Sequence, residues 1–345
     1  MTARRLTLEK FRNFEASSFE LGAKTAVVGY NGSGKSNFIE ALRLLSVGKS
    51  NKTSSLDEAI CFDQPFFRLA LERANDQTQT VDFFYGAQFA ASAVKDRQLK
   101  VNNQPTSWAE FWGKFPSVLF VPDDLEIVIG APQVRRRYLD GLLWQTDKEF
   151  RQNHLELSRV LRERSALLFL LKTNRAGREE LSPWNDLLLD LGGKVRHHRK
   201  QYVEFLQARL TKDGPVFTDV DIELFYKENT STPESVLKEE LRLAQNLVGP
   251  HRDELEIHFG DRSARRYTSR GQARAIVVAL KVAEAAFLAK RTGEKPLILL
   301  DDMFSELDAP TAEKLFNRFG DQYQIVATSI ETNPLTKDWQ QIVLK

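Results

Sequence analysis

The sequence carries one cysteine, Cys61, and only two methionines in 345 residues. A single thiol excludes an internal disulfide and is usual for a reducing compartment; its default role is that of a small buried apolar side chain. The five histidines and this cysteine show no metal-ligand spacing, which argues against a structural zinc. No secretory signal opens the chain and no uncharged apolar run is long enough to span a membrane, so a cytoplasmic location is expected. An excess of one charge is also missing. Lysine plus arginine number 49 against 47 aspartate plus glutamate, so any attraction for nucleic acid must come from a local surface and not from bulk charge. There are no repeats and no low-complexity tract. What is present is length for two lobes and a hydrophobic content of 42 %, enough for real cores.

Arg5 to Phe11 alternates apolar and polar residues as a half-buried strand does. Thr25 to Gly29 is a short apolar run that enters a glycine-rich loop, and Lys35 to Leu45 carries Phe38, Ala41, Leu42 and Leu45 at helical spacing. Strands are expected at Phe67–Arg73 and from Thr80 to Phe89, with a turn at Asn102-Asn103-Gln104-Pro105. From Gln133 to Leu210 the pattern is helical, with breaks near Thr146, Ala176-Gly177 and Ser182-Pro183. These helices are too short and interrupted for a long coiled coil. Strand signals return at Val220–Tyr226 and Leu255–Phe259. A helix follows from Gly271 to Lys290, a buried strand at Leu297–Leu300, a helix at Ala312–Phe319 and a strand from Gln324 to Thr328. The expected fold is α/β, with a P-loop lobe built from both chain ends (1–90 and 245–345) around a mainly helical lobe, 91–244.

Gly29-Tyr30-Asn31-Gly32-Ser33-Gly34-Lys35-Ser36 fits G-x-x-x-x-G-K-[ST] between a strand and a helix. Its backbone N–H groups, with the helix dipole behind them, form an anion nest for the β and γ phosphates of ATP. Lys35 reaches the terminal phosphates and the Ser36 hydroxyl ligates Mg²⁺. Leu297 to Leu300 then ends in Asp301-Asp302, the acidic strand such a site requires. Asp301 is best placed for the magnesium shell, and Asp302 for the attacking water, against the plainer role of capping the next turn. Asp308, after Ser305-Glu306-Leu307, reads as an N-cap with Pro310 in the first turn that follows. Thr268-Ser269-Arg270-Gly271-Gln272 opens a helix. Taken alone Ser269 is an ordinary N-cap. As a second anion site it has no use inside one subunit, and makes sense if it caps the γ-phosphate held by another.

Basic residues cluster at Arg135-Arg136-Arg137, at Arg159, Arg162 and Arg164, and at Lys194, Arg196, Arg199 and Lys200. They suit contacts to a DNA backbone, or equally solvated helix faces paired with Glu156, Glu163 and Glu204. No zinc-finger or recognition-helix pattern is present, so binding would be to backbone and shape.

The phosphate loop, acidic strand, Ser269 element and Ser305-Glu306-Leu307-Asp308 together resemble the ABC-type ATPase superfamily. Within it the chain is similar to the RecF family. Further residues carry the closer likeness: Phe11-Arg12-Asn13-Phe14, Asn37 and Glu40-Ala41, Phe120-Val121-Pro122-Asp123-Asp124-Leu125, Gly130-Ala131-Pro132, Gly249-Pro250-His251-Arg252-Asp253 and Ala273-Arg274. The resemblance implies a nucleotide site of Arg12, Asn31, Gly32, Ser33, Gly34, Lys35, Ser36 and Asn37, completed by Ser269, Gly271 and Gln272 of a second subunit. It implies an ATP-dependent homodimer on DNA, weak DNA-stimulated hydrolysis using Lys35 and Asp302, and partnership with RecO and RecR to load recombinase at gaps and stalled forks. A nucleotide-switched clamp with negligible turnover is the alternative; a transporter subunit fits less well, given the large inserted lobe. Three departures stand out. Ser36 replaces the more frequent threonine and preserves the ligand. Thr328-Ser329 stands where transporter ATPases carry a histidine. Val47 to Gln64 does not follow the family, so no site residue is expected there.

Overall fold

The computed structural model describes residues 2–74, 78–87, 95–305 and 307–345. The chain divides into two units, 1–124 with 281–345, and 125–280. The first contains β1 (Thr2–Phe11), β2 (Phe14–Glu20), β3 (Lys24–Val28), α1 (Lys35–Val47), β4 (Phe66–Ala74), β5 (Thr78–Gly86), β6 (Asp96–Val101), β7 (Gln104–Pro105), α2 (Trp108–Phe111) and β8 (Ser117–Phe120). The second contains α3 (Glu126–Ile129), α4 (Pro132–Thr146), α5 (Lys148–Lys172), α6 (Ser182–Asp213), β9 (Ile222–Lys227), α7 (Pro233–Leu243), β10 (Glu254–Phe259), β11 (Arg262–Ser263), α8 (Ala264–Tyr267) and the start of α9 (Arg270–Thr292). The chain then returns to the first unit with β12 (Leu297–Leu300), α10 (Ala309–Phe319), β13 (Ile325–Ser329) and β14 (Gln340–Val343). The divisions at 124/125 and 280/281 lie further along than the expected 90/91 and 244/245. The first shift follows from β6 and β8, strands of the first unit's sheets with no periodicity strong enough to announce them; the second follows from β10 and β11, which join β9 in a sheet of the second unit. The expected strand end at Phe89 lies outside the described residues.

The first unit has two sheets. One is antiparallel in the order β2-β1-β4-β5-β6-β7; the other is parallel in the order β14-β3-β13-β12-β8. Helix α1 packs against strands of both. That is why Phe38, Ile39, Ala41, Leu42, Leu44 and Leu45 are all buried: covered on two sides, the helix carries a wider apolar face than a surface helix with one stripe. The Phe19 ring joins the antiparallel sheet to α1, meeting Phe38 at 5.2 Å, and Phe11 meets Phe67 of the neighbouring strand at 5.2 Å. Helix α1 ends at Gly48, whose φ of 71° and position beside the Trp108 ring (2.8 Å from where a Cβ would lie) require glycine. Asn102 and Asn103, both at positive φ, form the tight β6–β7 turn that the sequence announced.

In the second unit α5 packs against α6 and is tied to α7 by an ion pair beneath the surface. Arg164 and Glu240 are both fully buried and meet at 2.6 Å, with Asn185 and Asn246 on the remaining arginine donors. The expected break at Ser182-Pro183 is the first turn of α6, where proline is tolerated because its missing N–H has no partner to lose. The Gly249-Pro250-His251-Arg252-Asp253 element is a corner. Buried Asp253 accepts from Arg196, the Tyr226 hydroxyl and Asn229 N, while Arg252 donates to Asn246 O and Arg199 to Pro250 O. These bonds tie α6 to β9 and the chain entering β10.

Candidate functional site

The phosphate loop joins β3 to α1 at the carboxyl end of the parallel sheet, where ligands of open α/β sheets bind. Gly32 and Gly34 have φ of 90° and 102°. A Cβ on Gly34 would lie 2.5 Å from Asn13 Nδ2, so both conformation and space demand glycine there. Asn13 Nδ2 donates to Ser33 O at 3.1 Å, and Asn37 Nδ2 donates back to Asn13 Oδ1 at 2.8 Å. Lys35 Nζ lies inside the loop and donates to Gly29 O (2.7 Å) and Tyr30 O (3.0 Å). The Ser33 hydroxyl is buried without a partner among the described residues.

Strand order brings the acidic residues to this loop. β13 separates β3 from β12, so the ends of three neighbouring parallel strands carry Gly29, Thr328 and Asp301. Asp301 Oδ1 accepts from Ser36 Oγ at 2.9 Å and from Thr328 Oγ1 at 3.0 Å. Burial raises the Asp301 carboxyl above its ordinary range; the two hydroxyls and the Lys52 charge oppose the rise, and Asp302 adds to it. Ser36 and Asp301 are hard oxygen donors at hydrogen-bond separation, a set that fits magnesium, which takes few protein ligands and completes its shell with phosphates and water. Asp302 has φ 53°, rare outside glycine and strained. Its backbone N donates to Thr328 Oγ1 at 2.8 Å, and its carbonyl accepts from Ser305 Oγ at 2.7 Å. Its carboxylate makes no hydrogen bond among the described residues, so it does not cap the turn. Glu306 lies outside the described residues. Asp308 accepts from Thr311 N at 2.8 Å and is the N-cap of α10.

Arg12 is held by buried Glu40 through two bonds, 2.9 and 2.7 Å, and it too has positive φ. The segment thought to lack site residues contributes to this network. Ser50 Oγ donates to Glu40, and Lys52 Nζ donates to Asn37 Oδ1 at 2.7 Å. Burial lowers the Lys52 ammonium, with the charges of Glu40 and Asp301 opposing. Sequence reading missed Lys52 because its neighbours have no periodicity and its partners lie on other elements. In the second unit, Ser269 and Gln272 form a reciprocal cap at the start of α9: Ser269 N to Gln272 Oε1 at 2.9 Å, and Gln272 N to Ser269 Oγ at 3.2 Å. A Cβ on Gly271 would meet nothing within 4 Å.

The sequence profile described as "RecF/RecN/SMC N terminal domain" matches residues 2–344. The chain is 31 % identical over 328 residues to "DNA replication and repair protein RecF" of Caldanaerobacter subterraneus subsp. tengcongensis, covering 89 % of this chain and 88 % of that protein. The chain belongs to the RecF family. The same-named protein of Chlorobium luteolum is 32 % identical, over 96 % of this chain and 94 % of its own. Among solved structures, "the recombination mediator protein RecF-ATPrS in RecFOR pathway" superposes with a TM-score of 0.88 at 28 % identity, covering 96 % and 93 % of the two chains. The corresponding RecF-ATP structure superposes at 0.86, also at 28 % identity, over 96 % of this chain and 92 % of that one. An SMC head bound to a winged-helix domain of ScpA shares the fold alone, with a TM-score of 0.57 at 14 % identity. The RecF-family chain is thus an ATP-binding protein of the ABC-type ATPase fold, in a family of DNA replication, recombination and repair. No helix among the described residues is long and apolar enough to cross a membrane.

Several arginines read as DNA contacts are instead structural. Arg135 is 4 % exposed and grips Glu254 through two bonds of 2.8 Å, and Arg199 is 3 % exposed and grips Asp140 through bonds of 2.7 and 2.8 Å. Arg164 is the buried partner of Glu240. Arg196 pairs with buried Asp253, and Arg136 donates to Asp253 O. Taking any of these to a phosphate would leave a buried carboxylate or carbonyl unpaired, which outweighs one surface contact. Arg137, Lys194 and Lys200 are exposed, the two lysines beside Asp190 and Glu228.

Proposed function

We propose that this RecF-family protein is an ATP-gated DNA-binding dimer that acts with RecO and RecR to load recombinase in repair of gaps and stalled forks. Two nucleotides lie between subunits in this reading. Each is held by Arg12, the loop Asn31–Ser36 and Asn37 of one protomer, and closed by Ser269, Gly271 and Gln272 of the other. Lys35 neutralises the terminal phosphates. Ser36 and Asp301 would hold Mg²⁺, which when bound supplies charge for the phosphates. Asp302, strained and with an uncommitted carboxylate, orients or deprotonates the attacking water, and Thr328 fixes its backbone.

The observation that carries the dimer is the exposed start of α9: Ser269, Arg270, Gly271 and Gln272 are all exposed, and Gly271 leaves open space where a Cβ would stand, so another subunit's phosphates can approach the helix start closely. The Ser269–Gln272 cap is the resting arrangement, from which one hydroxyl can be released to a γ-phosphate. The test is the mass of the protein in solution with and without ATP, magnesium and duplex DNA. ATP-dependent doubling that is prolonged by DNA is expected; a monomer under all conditions refutes the reading.

A further inference from the structure

The turn before α9 carries a density of unpaired charge found on none of the basic clusters above. We propose that Arg262, Arg265 and Arg266, with Tyr267, form the principal contact to the DNA phosphate backbone. This deepens the DNA-binding part of the reading above and rests on it. The three arginines lie on β11 and α8, all three are exposed, and none makes an ion pair or side-chain hydrogen bond among the described residues. Arg262 instead lies over the ring of Tyr267 at 5.7 Å, and that ring is 63 % exposed. Arg270, one turn on, is exposed and unpaired as well.

The contrast with the other basic residues decides between clusters. Lys194 stands 2.7 Å from Asp190, Arg196 holds Asp253 and Arg135 holds Glu254, so each brings a carboxylate to any phosphate it would meet. Beside Arg265 and Arg266 is a cleft of about 280 Å³ whose wall includes Glu254 and Glu256. Glu254 is taken by Arg135 at 2.8 Å, which leaves Glu256 on that wall and Asp261 next to Arg262 as the nearby carboxylates. Against them stand Arg262, Arg265, Arg266 and Arg270, a local excess of positive charge in a chain of net charge +2. All of it is guanidinium, the group whose fork fits phosphate oxygens and which gives up hydration more readily than an ammonium. An exposed tyrosine beside an arginine adds a flat surface for a sugar or base, a pairing typical of nucleic-acid grooves and unneeded for docking an acidic protein. Placement immediately before Ser269 means that a change at the start of α9 moves the arginines too, which would couple DNA contact to nucleotide.

The test is the salt dependence of duplex binding by the full chain in ATP, comparing wild type, R262Q/R265Q/R266Q and K194Q/K200Q. Loss of three phosphate contacts should lower the slope of log K against log salt by about 2.7 per subunit. The lysine pair should change it far less. Retained ATP affinity and ATP-dependent dimer mass show that the triple variant is folded. An unchanged slope and affinity in that variant overturns the inference. So does loss of the ATP-dependent dimer with unchanged DNA affinity per dimer, which would assign the arginines to the subunit contact. Loss of affinity for an acidic partner protein with DNA binding intact also overturns it. Wild type that fails to bind DNA at all defeats the underlying reading, an outcome distinct from an unaffected variant.

Discussion

Thr328→Val removes one hydroxyl from the centre of the nucleotide site and changes almost nothing else. The side chain is fully buried, donates to Asp301 at 3.0 Å and accepts from the Asp302 backbone at 2.8 Å. Valine has the same shape, so no cavity opens and the loss is polar. An unsatisfied buried N–H costs about 1–3 kcal/mol, and a lost hydrogen bond to a charged group about 1.5–3 kcal/mol. Part of that is recovered. Asp301 keeps the Ser36 bond, and Asp302, whose left-handed backbone stores about 1–3 kcal/mol, relaxes once its N–H is released. The net loss should be about 2–3 kcal/mol in a urea titration, as a lower midpoint at constant slope. Relaxation also moves the Asp302 carboxylate, so ATP turnover should fall tenfold or more, while ATP affinity, which depends on Lys35 and the loop, stays within about twofold. Thr328→Ser keeps the hydroxyl and should recover turnover at a stability loss near 0.8 kcal/mol for the methyl group. Full stability and full turnover in Thr328→Val would refute the role given to this residue.

Lys35→Met removes the charge that faces the terminal phosphates and should weaken ATP binding at least tenfold by nucleotide titration. Asp302→Asn keeps shape and removes the base, so hydrolysis should drop by about 10²–10⁴ while ATP-bound dimers accumulate and DNA complexes last longer; unchanged turnover would move water activation elsewhere. Glu240→Gln leaves buried Arg164 uncompensated and should cost about 3–5 kcal/mol in chemical denaturation, without changing ATP contacts. His251 offers a pH test. Burial lowers its imidazole below the ordinary 6.5, helped by Arg252 and Arg136 and opposed by its bond to Asn246. Below pH 6.5 the unfolded chain takes up a proton that the native one resists, so stability falls as pH falls, by up to about 1.4 kcal/mol per unit, until the native ring protonates. His251→Gln should flatten that part of the stability profile.

What the sequence disclosed here was whatever is local. The strand–loop–helix context of Lys35, the acidic end of β12, the cap at Asp308 and the asparagine turn each depend on a few consecutive residues. The signature element was equally visible, and its Ser269–Gln272 cap is the plain helix-start chemistry that such spacing encodes. Pairing across the fold was not visible. Arg135, Arg196 and Arg199 look like a DNA surface in one dimension and are the inner half of ion pairs with Glu254, Asp253 and Asp140 in three. Lys52 shows the reverse, a residue in an unpatterned segment brought to the nucleotide loop by the chain's return over α1. Strand β8 is four residues long with three apolar side chains, Val118, Leu119 and Phe120, too short to outweigh the surrounding loop signals.

The central claim is that Ser269 acts on the nucleotide of a second subunit. Ser269→Arg places a long cation where a γ-phosphate would meet the α9 N-terminus, at a position exposed within its own chain. The decisive measurement is the solution mass of this variant in ATP and magnesium, beside its ATP affinity. Near-native affinity with a strictly monomeric mass is the predicted result. An ATP-dependent dimer of Ser269→Arg would contradict the account.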